Sequence, residues 1–152
     1  RDIVVYDEAF DEDYAVGAGG HILGMVHGQG PILFSARSLR QGFRADHDGH
    51  NVGYHELAHV LDFELGRADG VPAFMPWGLV DPWVQVIREH TKAVRRGRHL
   101  LRRYAATDEA EFFAVATEVF FEQPRALRER HPELYALLAE TYGQDPAARA
   151  DG

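Results

Sequence analysis

The apolar residues change period once along this 152-residue chain, near Asn51. That change restricts it to folds with strands first and helices afterwards. Before it, residues 3–6 (Ile-Val-Val-Tyr) form a short β-prone run, followed by an acidic stretch from Asp7 to Asp13. Residues 22–26 and 31–35 predict two further strands, set off by glycine turns at residues 17–20 and 28–30. The leading Pro31 suits an edge strand or the first residue of a strand, because proline donates no ladder hydrogen bond. After it, Val52, Leu57, Val60 and Leu61 fall at helical spacing, and Gly66 is placed to stop that helix. Beyond an irregular connection at residues 66–78, a helix is predicted from about Asp81. Pro82 lies in its first turn, and Trp83, Ile87, His90 and Val94 share one face before Gly97 interrupts. Two more helices are expected, at about residues 108–122 with Pro124 as the stop, and at about 132–142 ending at Gly143. This order predicts one α+β domain over residues 1–152, a small twisted N-terminal sheet beside a helical C-terminal half.

Composition removes several function classes. With 45% hydrophobic, 11% aromatic and 26% charged residues, the chain can bury a core, which argues against disorder. No apolar run approaches the ~20 residues of a spanning helix, so no membrane partner is expected. Sixteen Lys+Arg against 24 Asp+Glu leave −8, which argues against nucleic acid as a partner. The absence of cysteine excludes disulfide scaffolds, thiolate zinc sites and cysteine nucleophiles, and it suits a reducing, cytoplasmic location. A first residue of Arg1 points to a processed or trimmed form. Nine histidines are many for this length, and they are the first sign of chemistry.

The strongest local signal is His55-Glu56-Leu57-Ala58-His59. On a helix, residues four apart point the same way, so both imidazoles can bind one metal ion. Glu56 lies about 100° round the helix, where it can reach a metal-activated water rather than the metal. Zinc would lower the pKa of that water to about 7, and the glutamate would take its proton as it attacks a carbonyl. Three residues of one helix cannot surround an ion tetrahedrally, so a third ligand must come from elsewhere. A metzincin continuation would need Gly and His where Asp62 and Leu65 stand, which excludes that class. Glu109, Glu111 and Glu118 on the later helix remain as candidates. Glu111 could equally close the first helical turn, since it stands three residues after a plausible cap at Asp108.

Residues 51–62, Gly70-Val71-Pro72, Tyr104-Ala105-Ala106 and Ala110-Glu111-Phe112-Phe113-Ala114 together resemble the Mlc titration factor A family. Residues 120–124 and 142–146 add to the likeness, which covers most of the chain from about Gly30. These are zinc metallopeptidases of the gluzincin type, with a catalytic core similar to the protease domain of anthrax lethal factor. The resemblance implies a zincin-like fold and one zinc ion per chain, on His55, His59 and Glu111. It also implies Glu56 as general base and Tyr104 as donor to the oxyanion, with a peptide or protein as substrate. Aminopeptidase-type trimming and internal cleavage both stay open. The family takes its name from sequestering a transcriptional repressor, so a zinc-containing binding module is the alternative. Gly53 and Val60 depart from the family's usual residues, and the N-terminal segment of longer members is absent.

Other residues carry plainer readings. Asp62, two turns from His55, either orients an imidazole or is a solvated last-turn acid, and Glu118 stands in a similar relation to Glu111. His47 and His50, with Asp46 and Asp48, read as a loop or cap region before the motif helix rather than a second metal site. The basic run Lys92, Arg95, Arg96, Arg98, Arg102 and Arg103 reads as the solvated side of a helix and its exit. Phe112-Phe113 and Phe120-Phe121 are expected to fill the core behind the site. A substrate peptide is expected to add as an extra strand beside residues 31–35.

Overall fold

A computed structural model describes residues 2–11, 13, 16, 20–26, 30–44 and 48–149. The expected turns at residues 17–19 and 28–29, together with Asp46 and His47, lie outside the described residues. Three strands form one sheet in the order β1-β3-β2, with β1 at Ile3–Tyr6, β2 at Gly24–Val26 and β3 at Ile32–Ser35. β1 runs parallel to β3, pairing Ile3 with Ile32 and Tyr6 with Ser35. β2 runs antiparallel to it, pairing Gly24 with Phe34 and Val26 with Ile32.

The central position of β3 corrects the expectation that residues 31–35 form an edge. Pro31 precedes the strand, so its missing N–H falls outside the ladder, and Ile32 donates to the Asp2 carbonyl instead. All four β3 residues are buried, as suits a strand covered on both faces. The edges are β1, with Ile3 and Val5 largely exposed, and β2.

A helix, α1 (Ala36–Arg44), follows β3 directly where the sequence predicted only strands and turns. Ser35 Oγ accepts the Ser38 N–H and starts it, while Leu39 and Phe43 lie four apart over Gly53 of the next helix. That helix, α2 (Val52–Asp62), is capped by Asn51, whose side chain accepts from Gly53 and Tyr54. A Cβ on Gly53 would stand 3.1 Å from the Asn51 cap oxygen and 3.4 Å from Leu39, so close packing offsets its poor helix propensity. A 3₁₀ turn at Phe63–Leu65 extends α2, and Gly66, left-handed at φ 77°, ends it as predicted.

α3 (Trp77–Arg95) begins four residues before the predicted start, which leaves Pro82 inside the helix. The hydrogen bond lost to proline belongs to the Gly78 carbonyl, on an exposed first turn where water can serve it. A second 3₁₀ turn, Arg103–Ala106, leads into α4 (Glu109–Glu122). Pro124 ends α4 as predicted and also opens α5 (Pro124–Arg130), a helix the sequence reading did not include. α6 (Pro132–Tyr142) stops at Gly143, and a short α7 (Pro146–Arg149) follows. α4 is buried almost all round, and Phe112, Phe113 and Phe120 are fully buried against Trp83, Leu127, Leu134 and Leu138. Phe121 is half-buried. No helix among the described residues is long and apolar enough to cross a membrane.

Candidate metal centre

The buried face of α2 is polar. His55, Glu56 and Asp62 are buried there, whereas Leu57 on the other side is 45% exposed. A polar face is tolerable inside only if each group has a partner, and α4 supplies most of them. Glu118, 1% exposed, accepts from His55 Nδ1 at 2.6 Å, from the Asn51 N–H at 2.8 Å and from Arg102 Nη2 at 2.6 Å. Glu122 accepts from the Asn51 amide at 2.9 Å. The start of α2 is thus pinned to one face of α4, one turn from His55.

Glu118 accepts the Nδ1–H, so in the neutral imidazole the lone pair of His55 sits on Nε2 and faces outward. There it meets His59 Nε2 at 3.2 Å and Glu111 Oε2 at 3.1 Å, while His59 Nε2 lies 3.6 Å from Glu111 Oε1. Donors on a tetrahedral zinc ion, bonded at about 2.0–2.1 Å, stand roughly 3.3–3.4 Å apart. Buried Glu111 Oε2 makes no hydrogen bond beyond its 3.1 Å contact with His55 Nε2, which leaves acceptor capacity beside the two imidazoles. Two imidazole nitrogens and a carboxylate, whose ligand atoms lie within 4.8 Å of one another, fit a metal ion. Glu111 completes only half of a capping box: its N–H bonds Asp108 at 2.8 Å, and its carboxylate turns to the imidazoles instead of back to the cap.

Glu56 and Tyr104 flank these three residues. Glu56 is 7% exposed and lies under β2, where a Cβ on Gly24 would come within 2.6 Å of its Cγ. The strand approaches the carboxylate this closely only because residue 24 is glycine. Burial pushes the Glu56 carboxyl above its ordinary range against the pull of His55 and His59. Tyr104, half exposed on the 3₁₀ turn, donates to Glu111 Oε1 at 3.1 Å. Burial and the Glu111 charge raise its phenol to about 12, so it keeps its proton at neutral pH. A cleft of about 370 Å³ runs beside the cluster from Val26 on β2, past His59 and Phe63, to Glu111.

The remaining sequence candidates fall elsewhere. Asp62 is 1% exposed and accepts the Gly70 N–H at 3.0 Å, with no hydrogen bond to either imidazole. It ties the end of α2 to a left-handed turn at Gly70, where any Cβ would lie 2.3 Å from the Glu109 carbonyl. Glu109 is exposed and contributes nothing to the cluster. Asp48 accepts the His50 N–H at 2.7 Å, a turn leading into the Asn51 cap. Arg102 corrects the reading of the basic run as solvated. Its guanidinium holds Glu118 and sits 5.8 Å from the Tyr104 ring, joining two parts of the site. Its place directly before Arg103-Tyr104 was the only local signal.

The proton and the metal compete at His55. Burial opposes charge on the metal-free imidazole, but Glu111 and Glu118 outweigh it and hold the pKa up at about 9. Below that pH an ion must expel a proton to bind, so apparent affinity should fall about tenfold per pH unit from 9 to 7. Competition with a chromophoric chelator checks this, and a flat profile contradicts it.

The family described as "Glucose-regulated metallo-peptidase M90" matches residues 1–143. A protein of Edwardsiella ictaluri named "Mlc titration factor A" is 35% identical over 96% of this chain and 58% of its own length. Proteins of the same name from Escherichia fergusonii and Pectobacterium atrosepticum are each 34% identical over 95% of this chain and 57% of their own. The chain therefore spans less than three-fifths of the length of these curated relatives. With a metallopeptidase match over nearly its whole length and a three-donor cluster suited to an ion, the chain belongs to the glucose-regulated metallopeptidase M90 family.

Proposed function

We propose that the domain is a zincin-like peptidase that hydrolyses peptide bonds with one zinc ion held by His55, His59 and Glu111. The observation that carries this reading is the meeting of two imidazole nitrogens and the Glu111 carboxylate at 3.1–3.6 Å, with Glu111 Oε2 buried and in contact only with His55. Two nitrogens and one oxygen suit zinc among the divalent ions. A bound ion would polarise the scissile carbonyl and make an attacking water more acidic.

The chain's own residues do the rest. Glu56 accepts a proton from the attacking water and passes it to the leaving amine nitrogen, two transfers helped by a carboxyl whose pKa is raised by burial. Tyr104 donates its O–H to the substrate oxyanion, exchanging the Glu111 carboxylate for it as charge develops. Arg102 and Glu118 act through His55, fixing its tautomer so that Nε2 faces the site. Among the described residues no strand pairs with the outer edge of β2, and Val26 lines the cleft, so a peptide added there as an extra strand would run beside the donor cluster. β3, being central, offers no such edge.

Cleavage of an unstructured polypeptide by the purified domain is the test. Loss of cleavage after chelation and dialysis, and its return with one equivalent of zinc, is expected. Undiminished cleavage by protein shown to be metal-free rules the reading out. A second reading, binding of a transcriptional repressor, draws on the family resemblance and on the relatives' name, which speaks of titrating Mlc. A purely structural ion would need neither Glu56 nor Tyr104 beside it, which favours the enzyme.

A further inference from the structure

Away from the donor cluster of α2 and α4, three more histidines meet. His90 comes from the last third of α3, His99 from the loop after it, and His131 from the junction of α5 and α6. His90 Nδ1 lies 2.7 Å from His99 Nε2, and the His99 and His131 rings stack with centroids 3.7 Å apart. We propose that His90, His99 and His131 form a second metal site, which takes one divalent transition ion of the imidazole-binding kind, zinc in the first instance.

Four observations support this. Each ring offers a nitrogen, and these nitrogens all lie within 4.8 Å of one another, from three separate elements. The rings are half-buried beside a surface cavity of about 400 Å³ lined by Gly97, Arg98 and Leu100, so an ion has a route in. Burial, then the neighbouring rings, holds His99 down at about 3, and His90 and His131 also lie below their ordinary values. Neutral imidazoles are the ligating form, so binding here releases no proton. Glu89 and Glu133 place negative charge near His90, against the positive charge of Arg130 near His131.

The ion would change the present contacts in a defined way. His99 Nδ1 now accepts the Leu101 N–H at 3.0 Å, and His131 Nε2 accepts the Leu100 N–H at 3.3 Å. Loading requires the stacked pair to open by rotation of the rings, and both amides to exchange a ring nitrogen for water. These two hydrogen bonds and the one between His90 and His99 are then given up for three metal–nitrogen bonds. The consequence is mechanical. The ion would join α3 to the α5–α6 junction through the loop that runs on to Arg102 and Tyr104, fixing the segment that carries both.

The test uses untagged protein and zinc alone. Wild type, equilibrated with excess zinc and desalted, is expected to carry two ions per chain, and a His90→Gln/His131→Gln variant one. The His55→Ala/His59→Ala variant should keep one ion and still melt higher with zinc than without, which separates this site from the first. Copper(II) bound to that variant should show several nitrogen couplings by electron paramagnetic resonance, lost when His90 and His131 are also replaced. Melting curves of the metal-free variants confirm that each is folded. A single ion in wild type, or zinc and copper binding by the His55→Ala/His59→Ala variant that survives the glutamine substitutions, overturns the proposal.

Discussion

Replacing Glu56 by glutamine is expected to lower kcat for peptide hydrolysis by about 10²–10⁴ while leaving the metal content unchanged. Glutamine keeps the size of the side chain under Gly24, so the close approach of β2 is preserved. Its amide oxygen cannot take up a proton from water at neutral pH, so both proton transfers fail together. His55, His59 and Glu111 are untouched, and their mutual spacing does not depend on Glu56. Rate and bound zinc should be measured on the same sample. Turnover close to wild type, with zinc retained, would remove Glu56 from the role of base.

Tyr104→Phe is expected to lower kcat by about 10²–10³, with KM, zinc content and Tm nearly unchanged. The phenol lies half exposed at the cluster, so losing its hydroxyl leaves no buried cavity and costs little stability. Charge on the substrate oxygen develops only on the way to the transition state, so substrate binding should not register the change. The structure supplies a competing outcome. Tyr104 O–H donates to Glu111 Oε1, and if orienting that ligand were its whole task, zinc affinity would fall instead of kcat. Steady-state kinetics at saturating zinc, beside a zinc titration, distinguishes the two.

Where sequence and structure agree, the information is local. The pair His55 and His59 is visible because helical spacing alone brings residues four apart to one side. The three strands before Asn51 and the helices after it are visible in the change of hydrophobic period, although α1 before Asn51 is not, and Gly66, Pro124 and Gly143 mark helix ends by their backbone chemistry. Glu111 was one of three acids by spacing, and only the likeness of several separated motifs singled it out.

What stayed hidden depends on contacts between distant segments. β3 pairs with β1 in parallel across more than twenty residues of intervening chain, and no local pattern at Pro31 reports which strand ends up in the middle. α2 buries His55, Glu56 and Asp62 and exposes Leu57, so its apolar residues mark the buried face poorly. Arg102 sits in a run of basic residues and is distinguished only by reaching Glu118 on another helix. Gly24 matters for the space it leaves above Glu56, a requirement set by a side chain thirty-two positions away.

In the proposed reaction, Glu56 and a metal held by His55, His59 and Glu111 make water attack a peptide carbonyl. Cleavage of a defined peptide mixture in ¹⁸O-enriched water, read by mass spectrometry, tests it most directly. Zinc-loaded wild type should yield products whose new C-terminal carboxylates carry ¹⁸O, and both the chelated protein and Glu56→Gln should yield essentially none. Labelled products appearing equally from all three samples, or from none of them, would show that Glu56 and the metal do not direct water to the carbonyl.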